Sequence, residues 1–275
     1  MIRLSTLALV LALVLALSAC AARTPPRPAG TPGPDPTAID AFITATASCR
    51  GFRSLTGELS LSGRAAGERI RGRVIAGLES GGSVRLEGVA PFGPPIFILA
   101  GKGELATLLL PREHRVLTNT AVSAVLERLT GLALGADDLR LMVSGCLADN
   151  AAPTEGKQWP GGWQAVTLAP DRVAYLRLQQ GQPVVVAADY GPWHLDYSEH
   201  LSGYPRVLRV RRLRQGFGAH GRDKDATTDI TARVGELEVN TAINPLAFTL
   251  EVPSDADPMT LDELRSVAPL VPKEP

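Results

Sequence analysis

From Arg69 to Glu79 arginines occupy the odd positions 69, 71 and 73, while Ile70, Val74, Ala76 and Leu78 occupy even ones. Successive side chains of a strand point to opposite faces, so this period of two describes an antiparallel strand with one buried and one wet face. The alternation recurs in Val84-Arg85-Leu86-Glu87, from Val173 to Leu178 and from Asp229 to Val234. Between these lie further β-rich runs at Ile96 to Ala100, Leu105 to Leu110, Trp163 to Leu168, Pro183 to Ala188, Trp193 to Tyr197 and Pro205 to Leu213, and another begins at Leu55. Short turns such as Ser80-Gly81-Gly82, Ala169-Pro170-Asp171 and Gln180-Gly181 separate neighbours and predict hairpins. The result is a meander of about eleven strands, in a chain that is mainly β. No internal repeat beyond the period of two stands out.

An antiparallel sheet of this size must close, fold into a sandwich or cover its apolar face. Helices are available as cover. Asp35-Pro36-Thr37 starts a helix over about Thr37 to Ser48, with Ile39, Phe42, Ile43 and Ala47 at helical spacing. An insertion at about 120–146 separates the two strand blocks. There Ala121, Val122, Val125, Leu126, Leu129 and Leu132 repeat at three and four residues, and Gly135-Ala136-Asp137-Asp138 restarts a second amphipathic stretch through Leu139, Leu141, Met142 and Val143 to Cys146. Thr260-Leu261-Asp262-Glu263 is a capping box for a last short helix to Ala268.

The N-terminus carries an address. Arg3 supplies a positive start, Leu7 to Leu17 are only Leu, Ala and Val, and Leu17-Ser18-Ala19-Cys20 is a lipobox. So short an apolar run ending at small residues reads as a signal peptide over residues 1–19, not a membrane span. A plain secretory signal with an accidental Cys20 is the alternative. A lipobox cysteine carries several acyl chains such as palmitate, and at roughly 0.8 kcal/mol per buried CH2 they make anchoring close to permanent. Ala21 rather than Asp follows Cys20, which in proteobacterial lipoproteins resembles an outer-membrane address. Residues 20–37 hold Pro25, Pro26, Pro28, Pro32, Pro34 and Pro36, the composition of an extended tether. Residues 38–275 are then expected to form a single domain.

Cys49 and Cys146 are the remaining cysteines. In the oxidising periplasm a disulfide between them is the working expectation, with two buried free thiols as the alternative.

The order of lipobox, proline-rich tether, helix, five or six strands, helical insertion and second strand block resembles the outer-membrane lipoprotein receptor LolB and its periplasmic relative LolA. Three stretches carry the resemblance. Arg85-Leu86-Glu87-Gly88-Val89-Ala90-Pro91-Phe92-Gly93 looks like the strand and turn of LolB-like proteins, and Leu126 to Gly145 like their lid. Trp193-His194-Leu195-Asp196-Tyr197 with Tyr204-Pro205-Arg206-Val207-Leu208 looks like their paired late strands. The likeness spans about residues 38–250. The resemblance implies an unclosed antiparallel β-barrel covered by amphipathic helices, with a cavity for the acyl chains of lipoproteins. It also implies that Phe92, on the loop after the third strand, assists membrane insertion; folding back onto the sheet is the other reading. The ending Asn244 to Pro253 looks more like LolA-type domains, and the chain exceeds typical receptors in length.

Net charge is zero, from 28 basic and 28 acidic residues, and 5% of residues are aromatic, so neither an electrostatic footprint nor stacking platforms for nucleic acid are present. Gly216-Phe217-Gly218-Ala219-His220-Gly221 fits a dinucleotide pattern but leads into a charged loop rather than a helix. His194 and His200 would lie about 20 Å apart on a strand, too far for one metal. His114 and His220 lack neighbouring ligand-type residues, Ser144-Gly145-Cys146 lacks a nucleophile elbow, and Asp137, Asp138, Asp255 and Asp257 read as caps or loop residues. No catalysis, cofactor or metal is expected. The run Arg206, Arg209, Arg211, Arg212 and Arg214 is the wet face of a strand or a contact for anionic lipid headgroups or an acidic partner.

The expected function is therefore non-enzymatic: an outer-membrane-anchored, monomeric lipoprotein facing the periplasm that binds acyl chains or lipoproteins and helps localise them. Ile70, Val74, Ala76, Leu78, Val84, Leu86, Val125, Leu129 and Met142 are the candidate cavity lining; the same side chains filling a dry core is the alternative. A structural or assembly lipoprotein without lipid cargo is the second reading.

Overall fold

The computed structural model describes residues 28–65, 67–149, 151–212, 228–267 and 269–271. Cys20, the expected signal peptide over residues 1–19, the dinucleotide-like stretch, Arg214 and His220 lie outside them.

The chain joins the sheet at β1 (Gly33–Pro34) and passes into α1 (Thr37–Ala45). Asp35 closes the start of α1, accepting hydrogen bonds from Thr37 N at 3.1 Å and Thr37 Oγ1 at 2.6 Å. A meander follows: β2 (Ser54–Ala65), β3 (Glu68–Glu79), β4 (Ser83–Val89), β5 (Ile98–Lys102), β6 (Leu105–Leu110) and β7 (Arg115–Ala121). Then come α2 (Val122–Thr130) and α3 (Ala136–Ser144). The second meander is β8 (Glu155–Trp159), β9 (Trp163–Ala169), β10 (Arg172–Gln179), β11 (Gln182–Tyr190), β12 (Trp193–Ser198), β13 (Val207–Arg212) and β14 (Asp229–Val239). β15 (Asp257–Pro258) and α4 (Leu261–Val267) end the described chain.

The strands form one sheet in the order β1-β8-β9-β10-β11-β12-β13-β14-β2-β3-β4-β5-β6-β7-β15. Two consecutive meanders are thus fused where β14 pairs with β2, from Asp229 against Arg64 to Val239 against Leu55. β1 and β15 stand at opposite edges, so the barrel is unclosed. Every pairing is antiparallel except the two-residue β15 against β7. Register shifts in β6–β7, β10–β11 and β14–β2 add local twist, which bends the sheet around its apolar side.

The alternation in β3 holds as read: Ile70, Val74, Ala76 and Leu78 are buried, while Arg69, Arg71 and Arg73 are exposed. Fifteen strands rather than about eleven are present among the described residues. β1 and β15 are two residues long, and β8 reads Glu-Gly-Lys-Gln-Trp, without alternation, because it lies near the sheet's edge. β7 carries Thr118, Asn119 and Thr120 toward the turn into α2, and only Val116 and Leu117 of it are buried.

The helices lie as expected, with α1 ending three residues earlier in a separate 3-10 turn, Ala47–Cys49. Asp138 accepts from the Gly135 N–H at the start of α3, and Thr260 and Glu263 bond reciprocally at the start of α4. Asp255 instead meets His114 Nδ1 at 3.1 Å, a partner 141 residues away in sequence.

Candidate functional site

The concave side of the sheet is one apolar cluster. Ile70, Val74, Ala76, Leu78, Val84 and Leu86 from β3 and β4 meet Val125 and Leu129 of α2 and Met142 of α3 in it. Phe42 of α1 and Leu264 of α4 belong to the same cluster. Each Val, Leu, Ile, Phe or Met among them contributes roughly 1.5–3 kcal/mol by leaving water. All nine candidate lining residues are therefore brought together in one buried apolar cluster. Ile70 and Leu129 also wall an open cavity of about 810 Å3 beside α2 and α4.

A second cavity of about 540 Å3 lies by the disulfide, bordered by Phe42, Ile43, Cys49, Phe52, Arg53 and Cys146. Cys49 Sγ is bonded to Cys146 Sγ, which ties the turn after α1 to the end of α3. Arg140, 2% exposed, braces the same place. Its Nε donates to Asp137 at 3.0 Å, its Nη2 meets Asp149 at 3.4 Å, and its guanidinium sits 5.0 Å from the centre of the Phe52 ring. Tyr197 donates to the Met142 carbonyl at 2.9 Å, fastening α3 to β12.

Phe92 is 88% exposed on the loop between β4 and β5, so it does not fold back onto the sheet. Arg112, from the β6–β7 turn, donates to the carbonyls of Phe92 and Pro94. These bonds hold the loop's backbone inward and leave the ring in water.

The arginine run divides. Arg209 forms a two-pronged pair with Asp229, and Arg211 donates to Asp196 at 2.7 Å. Both are wet-face residues satisfied across strands. His194 Nδ1 lies 2.7 Å from Asp189 and its Nε2 3.3 Å from Asp196. Burial pushes the Asp196 carboxyl up, but His194 and Arg211 outweigh it and hold the group below its usual range. No metal-binding group of three or more ligand-type side chains is present among the described residues. No helix among them is long and apolar enough to cross a membrane.

His200, which follows β12, is pushed below its ordinary value of 6.5 by burial, partly countered by a contact with the Val185 backbone. The unfolded chain then takes up a proton that folded His200 refuses, so this contribution is complete above about pH 6.5 and is lost as pH falls. Denaturant unfolding between pH 7.5 and 5.5 is expected to show falling stability, with a shallower slope in His200→Gln. Equal slopes contradict the assignment.

The architecture is an unclosed antiparallel sheet whose concave side is covered by amphipathic helices, the fold class expected from the sequence. Solved structures similar to the chain include a LolA superfamily protein from Nitrosomonas europaea, at 11% identity and TM-score 0.44 over 79% of this chain and 98% of that one. A putative outer membrane lipoprotein-sorting protein domain from Vibrio parahaemolyticus is similar at 10% identity and TM-score 0.41, over 76% and 95%. A DUF1329 family protein from Desulfovibrio piger is similar at 12% identity and TM-score 0.43, over 78% and 97%. No protein-family model and no curated protein matches the chain.

Proposed function

We propose that this protein is an envelope lipoprotein, held in the outer membrane by the lipidated Cys20 and facing the periplasm, that takes acyl chains of lipoproteins or other lipids between its sheet and helices. The observation that carries the reading is the apolar inner face of the sheet covered by three short helices of nine residues each, α1 against β8, β9 and β11, α2 against β6 and β7, and α3 against β2, β3 and β4, with an open cavity of about 810 Å3 beside α2 and α4. A sheet sealed by short helices admits a chain by moving a helix, without breaking strand pairing. Deleting the gene is expected to shift lipoproteins from the outer-membrane to the inner-membrane fraction. Unchanged fractions overturn the localisation role.

In this reading Phe92 enters the bilayer. Phe92→Glu is expected to leave the melting temperature unchanged, since an exposed residue shifts stability by about 0.5 kcal/mol or less. Transfer of cargo to outer-membrane vesicles, followed by flotation, is expected to fall severalfold. Wild-type transfer by the folded variant rules the insertion role out.

A second reading, an assembly lipoprotein without cargo, is favoured by one observation: all nine candidate lining side chains are buried within one apolar cluster.

A further inference from the structure

Strand register brings two exposed features to one end of the sheet. Beyond its last pair with β4, Arg73 with Val89, β3 continues beside β2 to the hairpin turn at Gly67, while the chain leaving β4 enters the loop that carries Phe92. The β6–β7 turn with Arg112 closes at the same end, next to the pair of Leu110 with Arg115. On this part of β3 the inward residue is the buried Ile70, so Arg69 and Arg71 stand on the convex face, with Arg64 opposite Arg69 and Ser62 opposite Arg71. All three arginines are exposed. Successive outward residues of a strand are about 7 Å apart, so three guanidinium groups share one small area.

Elsewhere on this face arginines meet carboxylates: Arg73 meets Glu58, Arg211 meets Asp196, Arg233 meets Glu199, and Arg209 forms its two-pronged pair with Asp229. The hairpin end differs. Arg64 reaches only the Gly67 carbonyl, at 3.4 Å, Arg69 and Arg71 have no ion-pair partner among the described residues, and Arg112 donates to the carbonyls of Phe92 and Pro94. Glu68, even-numbered like Ile70, borders the cavity on the concave side instead, and Glu113 beside Arg112 is half-buried. Like charges directly opposite each other, as Arg64 and Arg69 are, destabilise a ladder, and no carboxylate of the hairpin's convex face is left over to offset it. The fold gains nothing from this cluster, whereas an external anion would neutralise it. Unpaired arginines at the same end as a ring that is 88% exposed are complementary to a surface with phosphates outermost and acyl chains beneath.

We propose that this end of the sheet docks on a bilayer containing anionic phospholipid, with Arg64, Arg69, Arg71 and Arg112 against the phosphate layer and Phe92 below it. The proposal rests on the entry of Phe92 into the bilayer argued above, and adds the lipid class and the residues that select it. Guanidinium groups suit the role, since each donates two parallel hydrogen bonds to a phosphate. The contact lies outside the apolar cluster, so docking leaves the space between sheet and helices free.

Fluorescence tests this on the full-length protein reconstituted into phosphatidylethanolamine vesicles that contain either phosphatidylglycerol or phosphatidylcholine in equal proportion. An environment-sensitive NBD group on Ser62→Cys reports docking; Cys49 and Cys146 are bonded to each other and Cys20 is acylated in this reading, which leaves the new thiol to be labelled. Emission is expected to brighten and shift to the blue on the phosphatidylglycerol vesicles, severalfold more than on the neutral ones, and to revert when salt is raised, because exposed charges are screened. Each of Arg64→Gln, Arg69→Gln and Arg71→Gln is expected to lower the docked-to-free ratio on the anionic vesicles about fivefold, the equivalent of about 1 kcal/mol per basic residue near an anionic surface. The same variants are expected to keep or raise the melting temperature, since each removes a repelling charge. A label on Gln179→Cys, at the opposite end of the sheet, is expected to show no change. Equal signals on both vesicles, lost only in Phe92→Glu, overturn the arginine contact and leave the insertion of Phe92 standing. No change on either vesicle overturns both.

Discussion

Removing the Cys49–Cys146 bond, in the double variant Cys49→Ser with Cys146→Ser, is expected to lower the free energy of unfolding by about 3–5 kcal/mol. The two cysteines are 97 residues apart, and the loop they close contains β2 to β7, α2 and α3. Cross-linking so long a loop restricts the unfolded chain, which on the chain-entropy model is worth about 4.7 kcal/mol, and native strain or residual unfolded structure brings measured values lower. Denaturant titration of the oxidised and double-serine proteins measures the difference. A loss below about 1 kcal/mol contradicts it. The bond also divides the lid: α1 and α3 are tied covalently, whereas α4 is held by exposed ion pairs of little individual strength. Opening at α4 therefore costs less than opening at α1.

Arg140→Ala is expected to cost about 2–3 kcal/mol. Removing one partner of a buried ion pair costs about 3–5 kcal/mol when the other charge is left stranded. Here Asp137 and Asp149 are close to half exposed and regain water, which reduces the loss. What remains is packing under Phe52 and the bond to its carbonyl. Arg140→Met, which keeps much of the stem's packing, is expected to recover about half of it. A loss under about 0.5 kcal/mol for the alanine variant shows that the guanidinium does not fasten α3 to the segment after α1.

The residues that could be read from sequence are those whose role is local. Ile70, Val74, Ala76 and Leu78 announce the inner face of β3 by period alone, and Thr260 with Glu263 announces the start of α4 because both ends of the capping box lie within one turn. β8 could not be read. Its order comes from neighbours: Gly156 accepts from Asp35 N at 2.9 Å, and a Cβ at Gly156 would lie 2.2 Å from the Asp35 carbonyl oxygen. Arg140 looks like one more polar residue on an amphipathic helix, and only Phe52, 88 residues earlier, makes its position a buried one. The pairing of His114 with Asp255 likewise depends on segments 141 residues apart. Phe92 was legible as a turn residue between Pro91 and Gly93, but its exposure depends on Arg112 in another hairpin.

That acyl chains enter between sheet and helices is tested most directly by the mass of what the protein carries. Full-length protein purified from the envelope in mild detergent is weighed under native and then denaturing conditions, so that noncovalent lipid is separated from the acyl chains proposed at Cys20. The account predicts a lipid of discrete mass under native conditions that is lost on denaturation and is strongly depleted in Leu129→Trp. A native mass equal to the denatured one, with all of the apolar interior filled by the protein's own side chains, contradicts it.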